Sequence, residues 1–372
     1  MSDPGVQHRD SDRLLVVMPS WVGDTVMATP LLRALRKLYP SAQITCLARS
    51  VVRPILDASP WIDRIVTVRP IRKGSRRKGV FSLARHLAAR KFDTAVMLPN
   101  SFRSAVTVML AGIPRRVGYD RDGRGFLLTD RLVPRRRRGA FVPVSTRDYY
   151  LGLVRYLGAV EVDPGMELFT RPEHDRIVDQ MLKSEGWRGA SQPLVVITPG
   201  AAYGEAKLWD PRRFAQIADR CEHEHEALVA IGGPPKERPI LERVIAAAQR
   251  PILNLTDRGV DLTLFKSVVK RSRLVITNDT GPRHIAAALN VPVVSIFGPT
   301  DPAWTEIEFA DERQVMVKVP CGPCQLKTCP LDHRCMTQID SAMVYERVTE
   351  ILAPGPPGTR APVAKQPTSI SL

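Results

Sequence analysis

The stretch Val275-Ile-Thr-Asn-Asp279-Thr280-Gly281-Pro-Arg-His284-Ile-Ala-Ala-Ala-Leu289-Asn-Val-Pro-Val293-Val-Ser-Ile-Phe297-Gly298-Pro-Thr300 decides the fold. An apolar run leads into a turn carrying Asp, Thr and Gly, then a short Ala-rich segment at helical spacing, then a second apolar run. That is one βαβ unit. Its polar turn falls at the carboxyl end of a strand and the amino end of a helix, where parallel sheets bind ligands and unpaired N–H groups attract phosphate. The stretch therefore points to a site for a phosphorylated ligand. An ordinary capped helix in a Rossmann-like sheet accounts for the same residues, so the rest of the chain has to separate the two.

Working upstream, the pattern repeats. Residues 194–198 (LVVIT) read as a strand, followed by Pro199-Gly200-Ala-Ala-Tyr203-Gly204-Glu205-Ala-Lys207-Leu-Trp209-Asp210. Gly200 allows the backbone close to a ligand, and Lys207 offers a point charge for phosphate, although a loop lysine is as readily a solvated one. Asp210-Pro211 reads as a helix start. Residues 227–231 form the next strand and end in Gly232-Gly233-Pro-Pro-Lys236-Glu237. Glu237 suits ribose hydroxyls, and the dipole of the following helix explains it equally well. A strand at 252–255 and a helix at 261–271 then lead into the opening unit, so the second half is a small doubly wound domain.

The first half has the same character. Residues 13–19 (RLLVVMP) read as a buried strand, then Ser20-Trp21-Val22-Gly23-Asp24-Thr25, then a helix over 26–38. Gly23 permits close backbone approach, and Asp24 faces the crevice as either a helix cap or a catalytic base. Strands at 43–48, 65–68 and 94–98 alternate with helices at 51–58 and 80–90, and a further helix covers 146–157, which implies a parallel sheet. The expected organisation is a flexible N-terminus (1–12), a first Rossmann-like domain (13–170), a linker region (171–193), a second such domain (194–352) and a disordered Pro/Gly/Ser/Thr-rich tail (353–372). Two such domains in tandem bring their strand ends face to face across a cleft, where Asp24 can converge with Lys207, Asp279 and Thr280.

The length of 372 residues fits two domains of common size, and an apolar content of 44% supports a well-buried interior. No apolar run reaches the length of a membrane span and the first residues are polar, which points to a cytoplasmic protein. The net charge is +16, and its placement is uneven: residues 1–170 hold 29 Lys+Arg against 14 Asp+Glu. Two clusters stand out, RPIRKGSRRK at 69–78, in a Gly-flanked loop, and RRRR at 135–138. Fields of this kind attract nucleic acid, anionic membrane or an acidic substrate, or only aid solubility. Nucleic acid is disfavoured, because aromatics are 6% of the chain and are not interleaved with the arginines as stacking platforms. An anionic surface or lipid headgroup fits better.

Four of the six cysteines lie in Cys321-Gly-Pro-Cys324-Gln-Leu-Lys-Thr-Cys329-Pro-Leu-Asp-His333-Arg-Cys335. The spacing C-x2-C-x4-C-x5-C is dense enough to hold a structural zinc, reduced thiols packed in a loop account for it equally, and redox or cluster chemistry is the third use open to it. It does not read as catalytic, because four protein ligands leave no open position.

Taken together, Pro19-Ser-Trp-Val-Gly23-Asp24 with Thr29-Pro30-Leu-Leu, Pro199-Gly200 with Lys207 and Trp209, Asn278-Asp279-Thr280-Gly281 with His284, and Phe297-Gly298-Pro299-Thr300 resemble the lipopolysaccharide heptosyltransferases of glycosyltransferase family 9, most of all the heptosyltransferase II branch. The resemblance spans nearly the whole chain. It implies the GT-B architecture of two facing Rossmann-like domains and inverting transfer of L-glycero-D-manno-heptose from ADP-heptose to the inner core of a lipid A-linked oligosaccharide, at the inner-membrane surface. Asp24 would be the general base, and no cofactor would be required. Lys207 would neutralise the diphosphate, Thr280 and Gly281 would donate backbone N–H groups to it, and Asp279 would hold heptose hydroxyls. His284 would line the same pocket and Glu237 would bind ribose. Pro282-Arg283 departs from the pattern by placing a bulky cation beside the phosphate turn. The alternatives are a GT-B transferase using another nucleotide sugar or anionic acceptor, and a non-catalytic basic protein on the same fold that binds membrane or nucleic acid.

Overall fold

The structure, a computed structural model, describes residues 11–68 and 76–353. The N-terminal ten residues, most of the first basic cluster (69–75) and the tail from 354 lie outside the described residues. In the first domain the strands are β1 (Arg13–Val17), β2 (Gln43–Arg49), β3 (Arg64–Val68), β4 (Thr94–Met97), β5 (Arg115–Tyr119) and β6 (Asp130–Leu132). Its helices are α1 (Val22–Met27), α2 (Thr29–Leu38), α3 (Arg53–Leu56), α4 (Arg76–Ala88), α5 (Phe102–Leu110) and α6 (Thr146–Tyr156). The Arg135–Arg138 cluster is built into an antiparallel hairpin of β7 (Arg136–Arg137) and β8 (Ala140–Phe141).

After α7 (Pro172–Ser184), the second domain holds β9 (Leu194–Thr198), β10 (Leu228–Ile231), β11 (Leu253–Asn254), β12 (Leu274–Asn278), β13 (Val293–Phe297) and β14 (Glu312–Met316). Its helices are α8 (Pro211–His225), α9 (Arg238–Ala247), α10 (Leu262–Arg271), α11 (Gly281–Ala288), α12 (Arg334–Thr337) and α13 (Ser341–Leu352). The stretch read as a linker contains α7, whose Asp175 and Asp179 pair with Lys270 and Arg271 of α10.

Each domain is built on a parallel six-stranded sheet, ordered β3-β2-β1-β4-β5-β6 in the first and β11-β10-β9-β12-β13-β14 in the second. The orders are the same, and each reverses direction once, between β1 and β4 and between β9 and β12. The crevice at such a reversal is where doubly wound sheets take ligands. Central strands covered on both faces are mostly apolar, and β9, β12 and β13 are buried at every position, their few polar residues lying near the carboxyl ends or, as Ser295, bonded to a neighbouring side chain. The helices start where local chemistry dictates: Asp210 accepts from the Arg212 N–H ahead of Pro211, and Asp261 accepts from Thr263 and Leu264.

The domains are joined by packing as well as by chain. Val26 and Ile55 of the first domain belong to the same buried cluster as Ile285, Ala286 and Val268 of the second. Met27 packs with Ala287 and Ile307. Polar ties flank this seam: Lys266 of α10 donates to the Asp57 and Phe169 carbonyls at 3.2 and 2.7 Å, and Arg147 of α6 donates to the Ile307 carbonyl at 2.8 Å. Apolar burial across the seam therefore sets which faces of the two sheets meet.

Candidate active site

The first half of the site is the turn after β1. α1 begins at Val22 with Trp21 as its capping position, and no side chain caps it, so Asp24 is not spent as a cap. Its carboxylate lies in the first turn, half-buried, and accepts no hydrogen bond from the described residues. Burial raises it to about 6, and the nearby Lys207 ammonium pulls in the opposite direction. A carboxylate tuned toward neutrality at a sheet crevice is suited to proton abstraction.

The second half is a buried charge network at the ends of β9, β12 and β13. Lys207 donates from Nζ to Asp279 Oδ2 at 2.6 Å and to the Asp279 carbonyl at 2.9 Å. Thr300, in the turn after β13, donates to the same Oδ2 at 2.8 Å, and Arg283 approaches Oδ1 at 3.5 Å. Burial alone would raise Asp279, but Lys207 and Arg283 outweigh it and hold the carboxyl below its ordinary value. Both Asp279 oxygens thus have partners within the protein, Oδ1 only through the longer approach of Arg283. The third N–H of the ammonium makes no hydrogen bond among the described residues, and Nζ lies 5.1 Å from the centre of the Tyr203 ring.

Arg283 stands beside the phosphate turn, as the sequence suggested, but on its buried side. It is fully buried and forks onto Glu312, with a further bond to the Thr305 carbonyl at 2.9 Å. An always-charged guanidinium in the core requires such a partner, and Glu312 supplies it from β14.

The two turns face each other. A Cβ on Gly23 would lie 2.8 Å from His284 Cδ2, and one on Gly281 would lie 3.0 Å from Val22 Cγ1. The amino ends of α1 and α11 meet through paired glycines because nothing larger fits. Thr280 occupies the capping position of α11 without using its side chain on the helix; its hydroxyl instead meets Thr277 Oγ1 at 3.2 Å. His284 is buried with Nδ1 unpartnered, and burial followed by the adjacent Arg283 charge lowers it to about 3, so the ring is neutral. Glu237 stands at the start of α9 without capping it. Its carboxylate lies over Gly200, where a Cβ would come within 1.7 Å of Oε2, and burial raises its pKa. Asn278 ties this edge to the network by donating to the Pro199 carbonyl at 2.7 Å.

In front of Asp24 a cleft of about 850 Å³ opens into the first domain, lined among others by Arg121, Arg131, Arg135, Arg155 and, from the second domain, Trp304. Arg121 lies over the Phe141 ring at 3.9 Å and its Nε is buried without a partner. The cleft unites the carboxylates of Asp24 and Asp148, four arginines and aromatic faces in one concavity, a net cationic lining that suits an anionic polyhydroxylated ligand.

Residues 80–334 match glycosyltransferase family 9 (heptosyltransferase). The chain belongs to glycosyltransferase family 9. The lipooligosaccharide heptosyltransferase 2 of Haemophilus ducreyi is 30% identical over 311 residues, covering 79% of this chain and 85% of that protein. The Escherichia coli lipopolysaccharide heptosyltransferase 2 is 30% identical over 79% of this chain and 84% of its own. Among solved structures, Escherichia coli ADP-heptose LPS heptosyltransferase II superposes with a TM-score of 0.75 at 26% identity, covering 91% of this chain and 98% of that one. A family 9 glycosyltransferase from Veillonella parvula superposes with a TM-score of 0.80 at 20% identity, covering 93% and 99%. The architecture is GT-B, as the sequence resemblance implied, and the protein is a glycosyltransferase.

In this family 9 transferase nothing in the cysteine-rich segment supports the structural zinc that its spacing allowed. Among the described residues no three His, Cys, Asp or Glu side chains are arranged to hold a metal ion. Cys321 and Cys324 are exposed, Cys329 is half-buried, and Cys335 is buried against Gly298. No chemical step is assigned to a metal there. Sequence reasoning missed Arg121, Arg131, Arg155 and Trp304. Only Arg135 announced itself, as part of a run; the others are isolated residues on separate elements whose common feature is the cleft they line.

Proposed function

We propose that this transferase moves a heptosyl group from ADP-heptose to an inner-core sugar of a lipid A-linked oligosaccharide, by a single inverting displacement. The observation that carries the reading is the placement of Asp24, raised to about 6, between the arginine-lined cleft and the Lys207–Asp279 network of the other domain. The donor diphosphate would lie at the start of α11, against the Thr280 and Gly281 N–H groups and the Lys207 ammonium, with Glu237 on the ribose. The acceptor would occupy the cleft with its anionic groups on the arginines. Asp24 takes the acceptor hydroxyl proton as the oxygen attacks the anomeric carbon, the bond to the diphosphate oxygen breaks, and ADP leaves with that electron pair. The names of the relatives support donor and acceptor alike.

The lipid anchor of such an acceptor places the enzyme at the cytoplasmic face of the inner membrane, as a peripheral protein. No described helix is long and apolar enough to cross a membrane. The rim of the cleft supports a surface role: Val133, which lines it, is 79% exposed and precedes the exposed Arg135–Arg138 hairpin. The test of the function is ADP release from ADP-heptose that depends on core acceptor. Asp24→Asn should lose about 10²–10⁴-fold in kcat while still binding ADP. Near-normal turnover by this variant would remove Asp24 from the chemistry, and release from a different nucleotide sugar only would reassign the donor.

A further inference from the structure

We infer that His333 is a positioning residue for donor binding: by holding the Ala206 carbonyl it sets where the neighbouring Lys207 presents its ammonium. The inference rests on the reading above that Lys207 meets the diphosphate.

Lys207 ends a 3-10 turn of three residues, Glu205–Lys207, too short to hold its own geometry. Its partners come from the cysteine-rich segment, more than a hundred residues downstream. Tyr203 donates from its hydroxyl to the Gln325 carbonyl at 2.6 Å, Ala206 N–H donates to the Lys327 carbonyl at 2.9 Å, and His333 Nε2 meets the Ala206 carbonyl at 2.6 Å. A carbonyl only accepts, so His333 carries its proton on Nε2. The two segments run backbone against backbone: a Cβ on Gly204 would lie 2.4 Å from the Lys327 carbonyl oxygen. The same strap reaches the other arm of the network. Gln325 N–H donates to the Pro299 carbonyl at 2.8 Å, next to Thr300, whose hydroxyl holds Asp279. His333 itself adopts a left-handed backbone, φ 59°, at the start of α12, an uncommon state for a side-chain-bearing residue that persists only where its surroundings impose it. The segment therefore clasps both loops whose side chains meet at Asp279, and His333 is the one side chain in it that bonds directly to the residue preceding Lys207.

The test uses the full-length enzyme, with ADP titration and steady-state kinetics on ADP-heptose. His333→Ala should weaken ADP and raise the donor KM by about tenfold, the scale of one lost hydrogen bond, with the acceptor KM unchanged. His333→Gln, whose amide N–H can reach the same carbonyl, should recover most of the loss. In a Lys207→Ala background, His333→Ala should add little. Normal donor affinity in His333→Ala, alongside weakened affinity in Lys207→Ala, overturns the inference alone. Unchanged affinity in Lys207→Ala overturns the reading beneath it and the inference together. Equal losses in donor and acceptor KM with a lowered Tm, and no rescue by glutamine, would make His333 an ordinary structural residue and also overturn it.

Discussion

Replacing Gly23 by alanine probes the meeting of the two domains at a single methyl group. The new Cβ would stand 2.8 Å from His284 Cδ2 and 3.3 Å from Nε2, where ordinary contact begins at 3.4 Å. Something must yield by about 0.6 Å, and overpacking of this kind costs about 1–3 kcal/mol. His284 is 3% exposed, so its ring has no solvent to turn into, and the strain falls on the junction of α1 and α11. Alanine in place of a helical glycine returns about 1 kcal/mol, so overall stability should change little. Catalysis should suffer more, because Asp24 adjoins the substituted residue and a 1 Å misplacement can cost roughly 10²-fold in rate. We expect kcat/KM, read as acceptor-dependent ADP release, to fall by about ten- to a hundredfold, with Tm within a few degrees of the parent. A second background isolates the cause. Once His284→Ala has removed the ring, Gly23→Ala should lose most of its additional penalty. Rates within about threefold of the parent, or an equal penalty in both backgrounds, would refute contact between these two residues as the basis of the defect.

Three further outcomes follow from the site. Lys207→Ala leaves the buried Asp279 carboxylate with only the longer Arg283 contact and Thr300, so alongside weaker donor binding it should cost stability, up to about 3 kcal/mol, measured by denaturant unfolding; an unaltered midpoint would contradict the network. Arg121→Ala should raise the acceptor KM several-fold and leave the donor KM unchanged, which product-release kinetics with each substrate varied in turn would show. His284 is depressed in the folded state to about 3, so it contributes stability above its unfolded value near 6.5 that is lost as pH falls below it. Between pH 6.5 and 5 that loss amounts to about 2 kcal/mol. Asp24, raised to about 6, acts in the opposite sense over the same window, so the readout is the difference between the parent and His284→Gln unfolded at pH 7 and pH 5.

Much of the fold was legible because buried parallel strands are mostly apolar on both faces. Runs such as 194–198 and 275–277, punctuated by Gly, Asp and Pro, announce strand, turn and helix without tertiary information. Shorter or more polar strands escaped: β5, with Arg115 and Arg116 at its start, and β14, with three polar residues at its head, take their place by pairing with a neighbour already formed. Within the site, Gly23-Asp24 and Asp279-Thr280-Gly281 were visible because the turn at the end of a parallel strand is a ligand position by construction.

The chain order and the apolar pattern are local properties, and they dictate two doubly wound units with polar turns at their carboxyl edges. Which charges meet is a property of distance through space. That Arg283 turns inward to Glu312, that Asp279 meets Lys207 and Thr300, that four arginines line one cleft before Asp24, and that the cysteine-rich segment clasps the Lys207 turn were decided only when the sheets twisted, the seam between the domains closed and each buried charge was brought beside a partner.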